Sequence, residues 1–513
     1  MQGLPWAPSQ ERMRISWLTG FEGIAIAVWL TLAGMLVFEG DREHLVESIN
    51  PAALRLGPSQ ERWMGIFFED QQVGFSVSRS AAIAEGGTLF EGRSQFRVAT
   101  FGKIQQVTTA GTALVGSDGA LQRFDFLMLA DQVRLVARGE IKGGELVMEV
   151  DQAGETSTLS FPISTPPHVG MSLESAIRRQ ELAVGLKFTT PYFDPLTLAE
   201  GEMEFEVVDV EIFDGGEEAY WLTSKFSEVE TRILVTPAGE TLRQEGALGM
   251  RMVRMTAEDA QRISAEPPKD LIALSAVPFK GSLKNARATR FFSARFTGVE
   301  ARQVVHQPPM QRVEVEGDTV TVDMPMLIEI PSSRISALPS DFKPGDEPPP
   351  FLGSSPTLPV GHLEIQRAAA DIVTGATNRL EAVQQITDWV FTEVRKEPSV
   401  GVPNGLEVLR SKRGDCNEHT ALFVSLARAA GIPTRIAAGV VFSERVGPKG
   451  QFYYHAWPEV QLGGPTDWVA VDPTFGQVPA DATHIKLVEG DLDRQVAILG
   501  VIGHLGLELI EAR

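Results

Sequence analysis

Three side chains in the C-terminal part of the chain have the chemistry needed to attack a carbonyl group. Cys416 is the only cysteine in 513 residues, which excludes an internal disulfide, a cysteine-only zinc site and a paired-thiol redox motif. A lone thiol is either inert packing or a nucleophile. His455 is the candidate general base, and Asp472 is the candidate carboxylate that orients the imidazole.

A helix is predicted from Cys416 to Ala430. Asp415 has the side chain of an N-cap, and the Gly-Ile-Pro run at 431–433 ends the helical pattern. The apolar face of this helix consists of Leu422, Phe423, Leu426, Ala427 and Ala430. Because the N-terminus of a helix carries a partial positive charge, it favours the thiolate over a thiol of ordinary pKa, about 8.5. We therefore expect a lowered pKa at Cys416, with an imidazolium as a second stabilising group.

Three strand-like runs follow this helix, at 434–442, 452–462 and 468–471. His455 lies in the second run, which is rich in aromatic residues, and Asp472 directly follows the third. If these two strands pair antiparallel, the two side chains can lie side by side on one face of the sheet.

The region before Cys416 has helical periodicity. Asn378 and Glu381 have the spacing of a capping box, and apolar residues then recur at three- and four-residue steps until about Lys396. The C-terminal domain is therefore predicted to be α+β, with its helices first and an antiparallel sheet after them.

Four neighbouring residues are candidates for supporting or walling the site: Asp415, His419, Tyr454 and Trp457. Asp415 is the predicted helix cap. His419 lies one helical turn after Cys416, where packing or capping is the favoured role. Tyr454 and Trp457 either wall a substrate groove or pack within the sheet.

Metal or cofactor binding is not predicted. A site made of Cys416, His419 and His455 would have only three ligands unless Asp472 completed it. No calcium-loop pattern and no glycine-rich phosphate loop is found.

The rest of the chain divides into β-rich units and a linker. Short alternating runs separated by glycine turns predict antiparallel β structure over 45–265, with a helical interlude at 172–183, and a smaller β-rich domain over 270–330. A proline-rich linker at 331–360 leads to the domain at 361–513. Neither β unit contains a recognisable chemical motif.

The N-terminal segment 1–40 predicts a membrane anchor. Its apolar run at 15–38 is long enough for a transmembrane helix, with arginines before it and acidic residues after it. A single-pass protein is expected, with its bulk outside the cytoplasm, either periplasmic or at the cell surface. A cleaved signal peptide and a buried core helix are the alternative interpretations.

The charge balance excludes one class of partner. With 46 Lys+Arg against 67 Asp+Glu the formal net charge is −21, so the chain lacks the basic surface that binds nucleic acid. Its hydrophobic content of 43% also excludes a disordered chain.

Four sequence runs resemble the nucleophile, histidine and aspartate motifs of the transglutaminase-like superfamily, a branch of the papain-type thiol enzymes. They are Arg413 to Leu422, Arg428 to Arg435, His455 to Trp457 and Trp468 to Thr474. The resemblance covers about 360–490. It implies that Cys416 is the nucleophile, His455 the general acid and base, and Asp472 the orienting carboxylate. Residues 45–330 resemble only the general layout of bacterial membrane-anchored relatives.

The resemblance implies acyl transfer from peptide or protein amides through a thioester. Hydrolysis, in which water accepts the acyl group, is favoured over crosslinking to an amine. Two other functions stay open: a non-catalytic peptide- or protein-binding module with the same fold, and a surface scaffold built on the β-rich domains. The expected partner is a peptide or protein substrate.

Overall fold

The structure is a computed structural model. It describes residue 54 and residues 56–513, apart from 85, 101, 118, 131–132, 153–154, 164, 195–198, 214–215, 227–228, 247–248, 272–275, 318, 325–331, 340–350, 400–401, 448, 491–494, 496–497, 499–500 and 502–503. The predicted transmembrane run at 15–38 and much of the predicted linker lie outside the described residues. In the described part of the chain, no helix has the length and apolar character to cross a membrane.

The first half of the described chain forms one large antiparallel sheet of 14 strands, as the alternating sequence pattern predicts. Its strands are β1 (Leu56–Phe68), β2 (Gln71–Ile83), β3 (Thr88–Thr100), β4 (Lys103–Val115), β5 (Leu121–Ala130), β6 (Val133–Lys142), β7 (Glu145–Gln152), β8 (Glu155–Pro162), β9 (Lys187–Asp194), β10 (Ala199–Phe213), β11 (Glu217–Phe226), β12 (Val229–Val235), β13 (Thr241–Glu245) and β14 (Met250–Met255). β1 and β14 pair in the middle of the sheet, so two successive meanders meet there. One face of the sheet is apolar and buried.

Two short helices accompany this sheet, α1 (Leu173–Ile177) and α2 (Ala257–Ala260). The predicted helical interlude at 172–183 is thus shorter than expected. It ends at Arg178, and the chain turns towards β9.

A second sheet has five strands: β15 (Phe279–Lys280), β16 (Phe292–Thr297), β17 (Arg312–Glu316), β18 (Thr319–Met324) and β25 (Gly506–Ala512). We call it the small sheet. Its strand β25 comes from the end of the chain and lies between β15 and β16. The regions 270–330 and 361–513, predicted as separate domains, therefore share this sheet, while their boundaries remain predictions.

The C-terminal region is α+β. Its helices are α3 (Leu363–Ile372), α4 (Arg379–Glu393), α5 (Gly405–Ser411) and α6 (Cys416–Ala429). Its four-stranded sheet has the order β23 (Trp468–Ala470), β22 (Gln451–Gln461), β21 (Thr434–Ser443) and β24 (Ile485–Glu489). The three predicted strands are present, with bounds shifted by at most one residue.

The helix predicted to end near Lys396 ends earlier. Val394 is already extended, and the two-residue strand β19 (Arg395–Lys396) pairs with β20 (Arg413–Gly414) directly before α6. This pairing takes the backbone away from helical geometry. The capping prediction holds at the other end, where the Asn378 side chain accepts a hydrogen bond from Glu381 N at 3.0 Å.

Helix α6 is the centre of the C-terminal region. It packs against the other three helices of this region and against strands β21 and β22. Every residue from Cys416 to Arg428 is buried. The first turn of the helix, which carries Cys416, is therefore fixed from several sides.

Candidate active site

Cys416 is the first residue of α6, and the helix start is built by two carboxylates. Asp415 Oδ1 accepts a hydrogen bond from Asn417 N at 2.9 Å, and Glu418 Oε2 accepts one from Asp415 N at 2.9 Å. This reciprocal capping box confirms Asp415 as the predicted cap. A side chain at Gly414 would collide with Glu418, since a Cβ there would lie 2.2 Å from Glu418 Cβ.

The Cys416 thiol is only 2% exposed. Burial raises its pKa, Asp415 raises it further, and a backbone hydrogen bond from Ala456 works in the opposite direction. The helix N-terminus alone predicts a lowered pKa, but in this conformation burial outweighs it. The resting group is therefore a neutral thiol.

His455 and Asp472 lie side by side, as antiparallel pairing of β22 and β23 predicts. Nε2 of His455 is 2.8 Å from Oδ2 of Asp472, and both residues have no exposed surface. Asp472 Oδ1 accepts hydrogen bonds from the backbone N–H groups of Thr474 at 2.6 Å and Phe475 at 2.9 Å. The carboxylate is thus held at both oxygens.

The hydrogen bond to Asp472 sets the tautomer of His455. A carboxylate accepts, so Nε2 carries the proton and Nδ1 carries the lone pair of the neutral ring. Nδ1 is buried and has no hydrogen-bond partner among the described residues. Burial lowers the pKa of His455, while the charge of Asp472 opposes this shift. Nδ1 is therefore a neutral base that can accept a proton.

A hydrogen bond joins the nucleophile helix to the histidine strand. Thr420 Oγ1 donates to the carbonyl of Ala456 at 3.1 Å, one residue after His455. Together with the backbone contact between Ala456 and Cys416, it brings the thiol and the imidazole strand to one place. A buried thiol, a neutral imidazole and an ionised carboxylate are thus assembled in chain order.

Residues 366–473, which include all three of these groups, match the family model of the transglutaminase-like superfamily. This part of the chain is a transglutaminase-like domain. The matched residues are about a fifth of the chain.

Individual relatives are distant. A protein-glutamine gamma-glutamyltransferase of Pseudomonas aeruginosa is 29% identical over 159 residues, a match that covers 28% of this chain and 23% of that protein. A Cytophaga hutchinsonii protein proposed to be a cysteine protease is 17% identical, with 44% and 86% of the two chains covered and a TM-score of 0.27. A Brucella abortus protein of unknown function is 13% identical, with 39% and 96% covered and a TM-score of 0.29.

Aromatic rings enclose the imidazole of the transglutaminase-like domain. Phe475 stacks on His455 at 4.9 Å between ring centroids, and Trp457 lies parallel at 6.1 Å. Trp457 is thus packed against the site. Tyr454 donates its hydroxyl hydrogen to Gln495 at 3.1 Å and is buried, which matches the packing interpretation.

His419 contacts the backbone of the helix start. Its Nδ1 lies 2.6 Å from the carbonyl oxygen of Asp415, the residue before Cys416. Burial lowers its pKa to about 4, so the ring is neutral and donates from Nδ1. His419 therefore stabilises the first turn, in agreement with the favoured capping role.

The site contains a second histidine that the sequence did not reveal. His484 Nε2 lies 2.9 Å from the same Asp472 oxygen that bonds His455. Its Nδ1 lies 2.9 Å from the carbonyl oxygen of Asp481. His484 follows Asp472 by 12 residues and belongs to no recognised sequence motif. The chain turns after Asp472, and this turn returns His484 to the Asp472 side chain.

His455, Asp472 and His484 also satisfy the distance requirement for a metal site, since their ligand atoms lie within 4.8 Å of one another. The hydrogen-bond pattern does not fit a cation. Both Nε2 atoms point at one carboxylate oxygen at hydrogen-bond distance, and the other nitrogen of His484 is engaged by a carbonyl. A metal would need lone pairs from nitrogens that are donating protons.

A cover lies over the nucleophile side of the site. The segment 397–399 and 402–404, here called the cover segment, contacts the helix start through Glu397 N, which donates to the carbonyl of Gly414 at 3.0 Å. Two glutamines of the large sheet hydrogen-bond to the backbone of this segment. Gln105 Nε2 donates to the carbonyl of Pro398 at 2.9 Å, and Gln152 donates to the carbonyl of Val402.

A polar cavity of about 190 Å³ lies between the large sheet and the cover segment. It is lined by Lys103 and Gln105 on one side and by Glu407 and Glu418 on the other. Burial, together with the nearby Glu418, raises the pKa of Glu407 to about 7. The cavity reaches the capping box, so it lies directly beside the nucleophile.

Proposed function

We propose that this protein is a thiol enzyme that cleaves or transfers the acyl group of peptide or protein amides. Cys416 is the proposed nucleophile, His455 the base and acid, and Asp472 the orienting carboxylate. The observation that carries the proposal is the buried 2.8 Å hydrogen bond from His455 Nε2 to Asp472. It leaves Nδ1 as an unpartnered base among the described residues of a transglutaminase-like domain.

The first half-reaction begins from a neutral thiol and a neutral imidazole. The sulfur attacks the amide carbonyl carbon while its proton passes to Nδ1 of His455, and a C–S bond forms. The backbone N–H of Cys416, at the N-terminus of α6, is the proposed donor to the oxyanion. The negative charge of Asp472 stabilises the imidazolium that results.

Collapse of the tetrahedral intermediate gives the acyl-enzyme. The carbonyl re-forms, the C–N bond breaks, and His455 Nδ1 gives its proton to the departing amine or ammonia. Water or a second amine then attacks the thioester carbon, with His455 again acting as base, and the C–S bond breaks. We propose water as the favoured acceptor because it is the more abundant one.

Substrate must reach a site that is closed in this conformation. Cys416 is 2% exposed, and His455 and Asp472 have no exposed surface. Ser399 of the cover segment donates a backbone hydrogen bond to the carboxylate of Asp415, the residue before Cys416. We propose that the cover segment moves before a protein substrate binds.

The same burial favours a second candidate function. A closed thiol of raised pKa also suits a non-catalytic module that binds a peptide elsewhere on the transglutaminase-like domain. The two functions differ in whether the thiol is needed.

Cys416→Ala in the full chain separates these functions. Two readouts are needed: ammonia release from a glutamine-containing peptide, which reports hydrolysis, and incorporation of a fluorescent amine into casein, which reports transfer. We expect both signals to disappear with Cys416→Ala and to persist with the matched surface change Ser264→Ala. Activity that survives Cys416→Ala would refute the thiol mechanism.

The cellular setting is a further part of the proposal. The apolar run at 15–38 supports a membrane anchor that places the enzyme outside the cytoplasm. Fractionation of cells that express the full chain, and of cells that express it without residues 1–40, tests this. The anchor predicts that only the full chain sediments with membranes.

A further inference from the structure

A chain of alternating charges leads from the catalytic base to the small sheet. His455 bonds Asp472 at 2.8 Å, and Asp472 bonds His484 at 2.9 Å. His484 bonds the backbone carbonyl of Asp481, whose carboxylate lies 2.9 Å from the guanidinium of Arg287. Only Arg287 has a substantially exposed side chain, 29%. We call these five residues the charge chain.

The contacts of His484 require a cation. A neutral imidazole has one N–H, so one of its nitrogens would present a lone pair to an oxygen atom. Nδ1 faces a carbonyl oxygen and Nε2 faces a carboxylate oxygen, each at 2.9 Å. Both nitrogens therefore carry protons. In agreement, Asp481 and Asp472 raise the pKa of His484 to about 9 although burial alone would lower it.

We infer that His484 is a positioning residue for the proposed reaction: it fixes the Asp472 carboxylate and keeps His455 a neutral base. This inference rests on the proposed function of Cys416, His455 and Asp472. With His484 on Oδ2 and two backbone N–H groups on Oδ1, the carboxylate cannot rotate away from His455. Its orientation then passes to the imidazole.

The charge of His484 has a second effect. Its ring lies 5.6 Å from the ring of His455, centroid to centroid. A cation at this distance in a buried site disfavours a second cation, so it works against premature protonation of His455. Asp472 alone would have the opposite effect, because a lone carboxylate favours the imidazolium.

Other groups that face His484 are neutral or already paired. Trp457 packs its ring edge-on at 5.2 Å, and Phe475 lies 6.1 Å away. His484 also lines a second cavity, separate from the one at the cover segment. Glu459 and Lys486 line this second cavity and pair with each other at 2.9 Å. The charges that act directly on His484 are therefore those of the charge chain.

Arg287 connects this arrangement to the small sheet. It lies in the turn between β15 and β16, and its guanidinium lies over the Phe475 ring at 4.3 Å. Phe475 in turn stacks on His455. The backbone is also joined, since Gln477 donates to the carbonyl of Arg287 at 3.1 Å. Residues next to the small sheet thus contact the aromatic ring that stacks on His455.

The test compares His484→Gln with the full chain in steady-state kinetics. Glutamine keeps a neutral donor near Asp472 and removes the charge. We expect kcat to fall about 10- to 100-fold, by analogy with the loss of residues that orient metal-binding side chains, with KM changed less than about twofold. The acid limb of the kcat profile should move to higher pH, because loss of the cation raises the pKa of His455. Imidazole added to His484→Ala should restore part of kcat.

Arg287→Gln perturbs the other end of the charge chain. It tests the inference even if the His484 variants do not fold. We expect a smaller shift of the acid limb in the same direction. Arg295→Gln is the matched control, because Arg295 belongs to the small sheet but pairs with Glu508 at the surface. It should leave both kcat and the acid limb unchanged.

The outcomes separate the inference from the proposed function. If Cys416→Ala abolishes activity but His484→Gln keeps the kcat and acid limb of the wild type, the positioning role is wrong. If Cys416→Ala retains activity, the proposed function is wrong. In that case the pH dependence of Cys416 alkylation by iodoacetamide decides the inference, because Cys416 is the only thiol. An unchanged midpoint in His484→Gln would overturn it.

Discussion

Two substitutions at Asp472 should separate its contribution to stability from its contribution to the proposed reaction. The carboxylate accepts four hydrogen bonds, two from imidazole Nε2 atoms on Oδ2 and two from backbone N–H groups on Oδ1. Asp472→Ala removes both acceptor oxygens and all four hydrogen bonds, and it leaves the His484 cation buried without its carboxylate partner. Breaking a buried charge pair in this way costs about 3–5 kcal/mol.

Asp472→Asn should leave the fold nearly intact but abolish catalysis. The amide oxygen can take the two backbone hydrogen bonds, and the amide NH₂ can donate to both Nε2 atoms if both rings lose their Nε2 protons. His455 then carries its proton on Nδ1, the position that must receive the thiol proton. A tautomer error of this kind lowers kcat by about 10⁴-fold in a serine protease triad, and we expect a loss of that order.

The assay pairs urea denaturation, followed by tryptophan fluorescence, with kcat measured at pH 7. Asp472→Ala should shift the urea midpoint strongly downward, and Asp472→Asn should shift it little while kcat falls steeply. Asp388→Asn is a matched control, since Asp388 is an exposed carboxylate on α4. Refutation would come from an Asp472→Asn protein with kcat within tenfold of wild type, or from an Asp472→Ala protein as stable as Asp472→Asn.

Three further predictions concern pH, access and the helix start. The pKa of His484 is raised to about 9 in the folded protein, so its protonation contributes about 3 kcal/mol to the free energy of unfolding. This contribution is complete below the unfolded pKa near 6.5 and is lost as pH rises through about 9. Urea midpoints measured between pH 6 and 10 check this prediction. Gln105→Ala combined with Gln152→Ala removes two hydrogen bonds to the cover segment, so Cys416 should react faster with iodoacetamide, by intact mass. Gly414→Ala should destabilise the protein by about 1–3 kcal/mol through a clash with Glu418. Gly361→Ala should not, because its Cβ would meet only Ser354 Oγ at 4.0 Å; thermal unfolding checks both.

Each of these predictions has a result that contradicts it. His484→Gln should lose the alkaline decline in stability, and an equal decline in both proteins would assign it to another group. An unchanged alkylation rate in the double glutamine variant would mean that the cover segment does not limit access. Equal melting temperatures for the two glycine variants would contradict the close contact at the helix start.

The sequence predicted the parts of the site that depend on local patterns. Asp415 before an apolar helix predicted the N-cap of the helix that begins at Cys416. The strand pattern around His455 predicted that His455 lies beside Asp472. Those features need only periodicity, capping chemistry and strand pairing, which neighbouring residues determine. The alternating strands of the first half likewise predicted antiparallel sheet.

Features that depend on distant segments were not predictable in the same way. No motif marks His484. The turn that carries it contacts the segment before β16, where Ala482 N donates to the carbonyl of Thr289 at 2.9 Å. Burial raises the pKa of Cys416. The cover segment beside the helix start is held by Gln105 and Gln152 of the large sheet, which are about 250–300 residues away in sequence. The pairing of β25 with β16 joins chain segments about 200 residues apart.

The two β-rich parts of the chain contact different parts of the candidate active site. The large sheet, through Gln105 and Gln152, holds the cover segment over the nucleophile. The small sheet, through Arg287, supports the base. Any movement that frees the cover segment admits water to the thiol, and this hydration lowers the pKa that burial raises. The small sheet instead contacts Asp472 indirectly, through Arg287, Asp481 and His484. If the proposed function holds, access to the thiol depends on the large sheet and proton transfer on the small sheet. We therefore expect the Gln105 and Gln152 variants to change the alkylation rate without moving the acid limb, and Arg287→Gln to do the reverse.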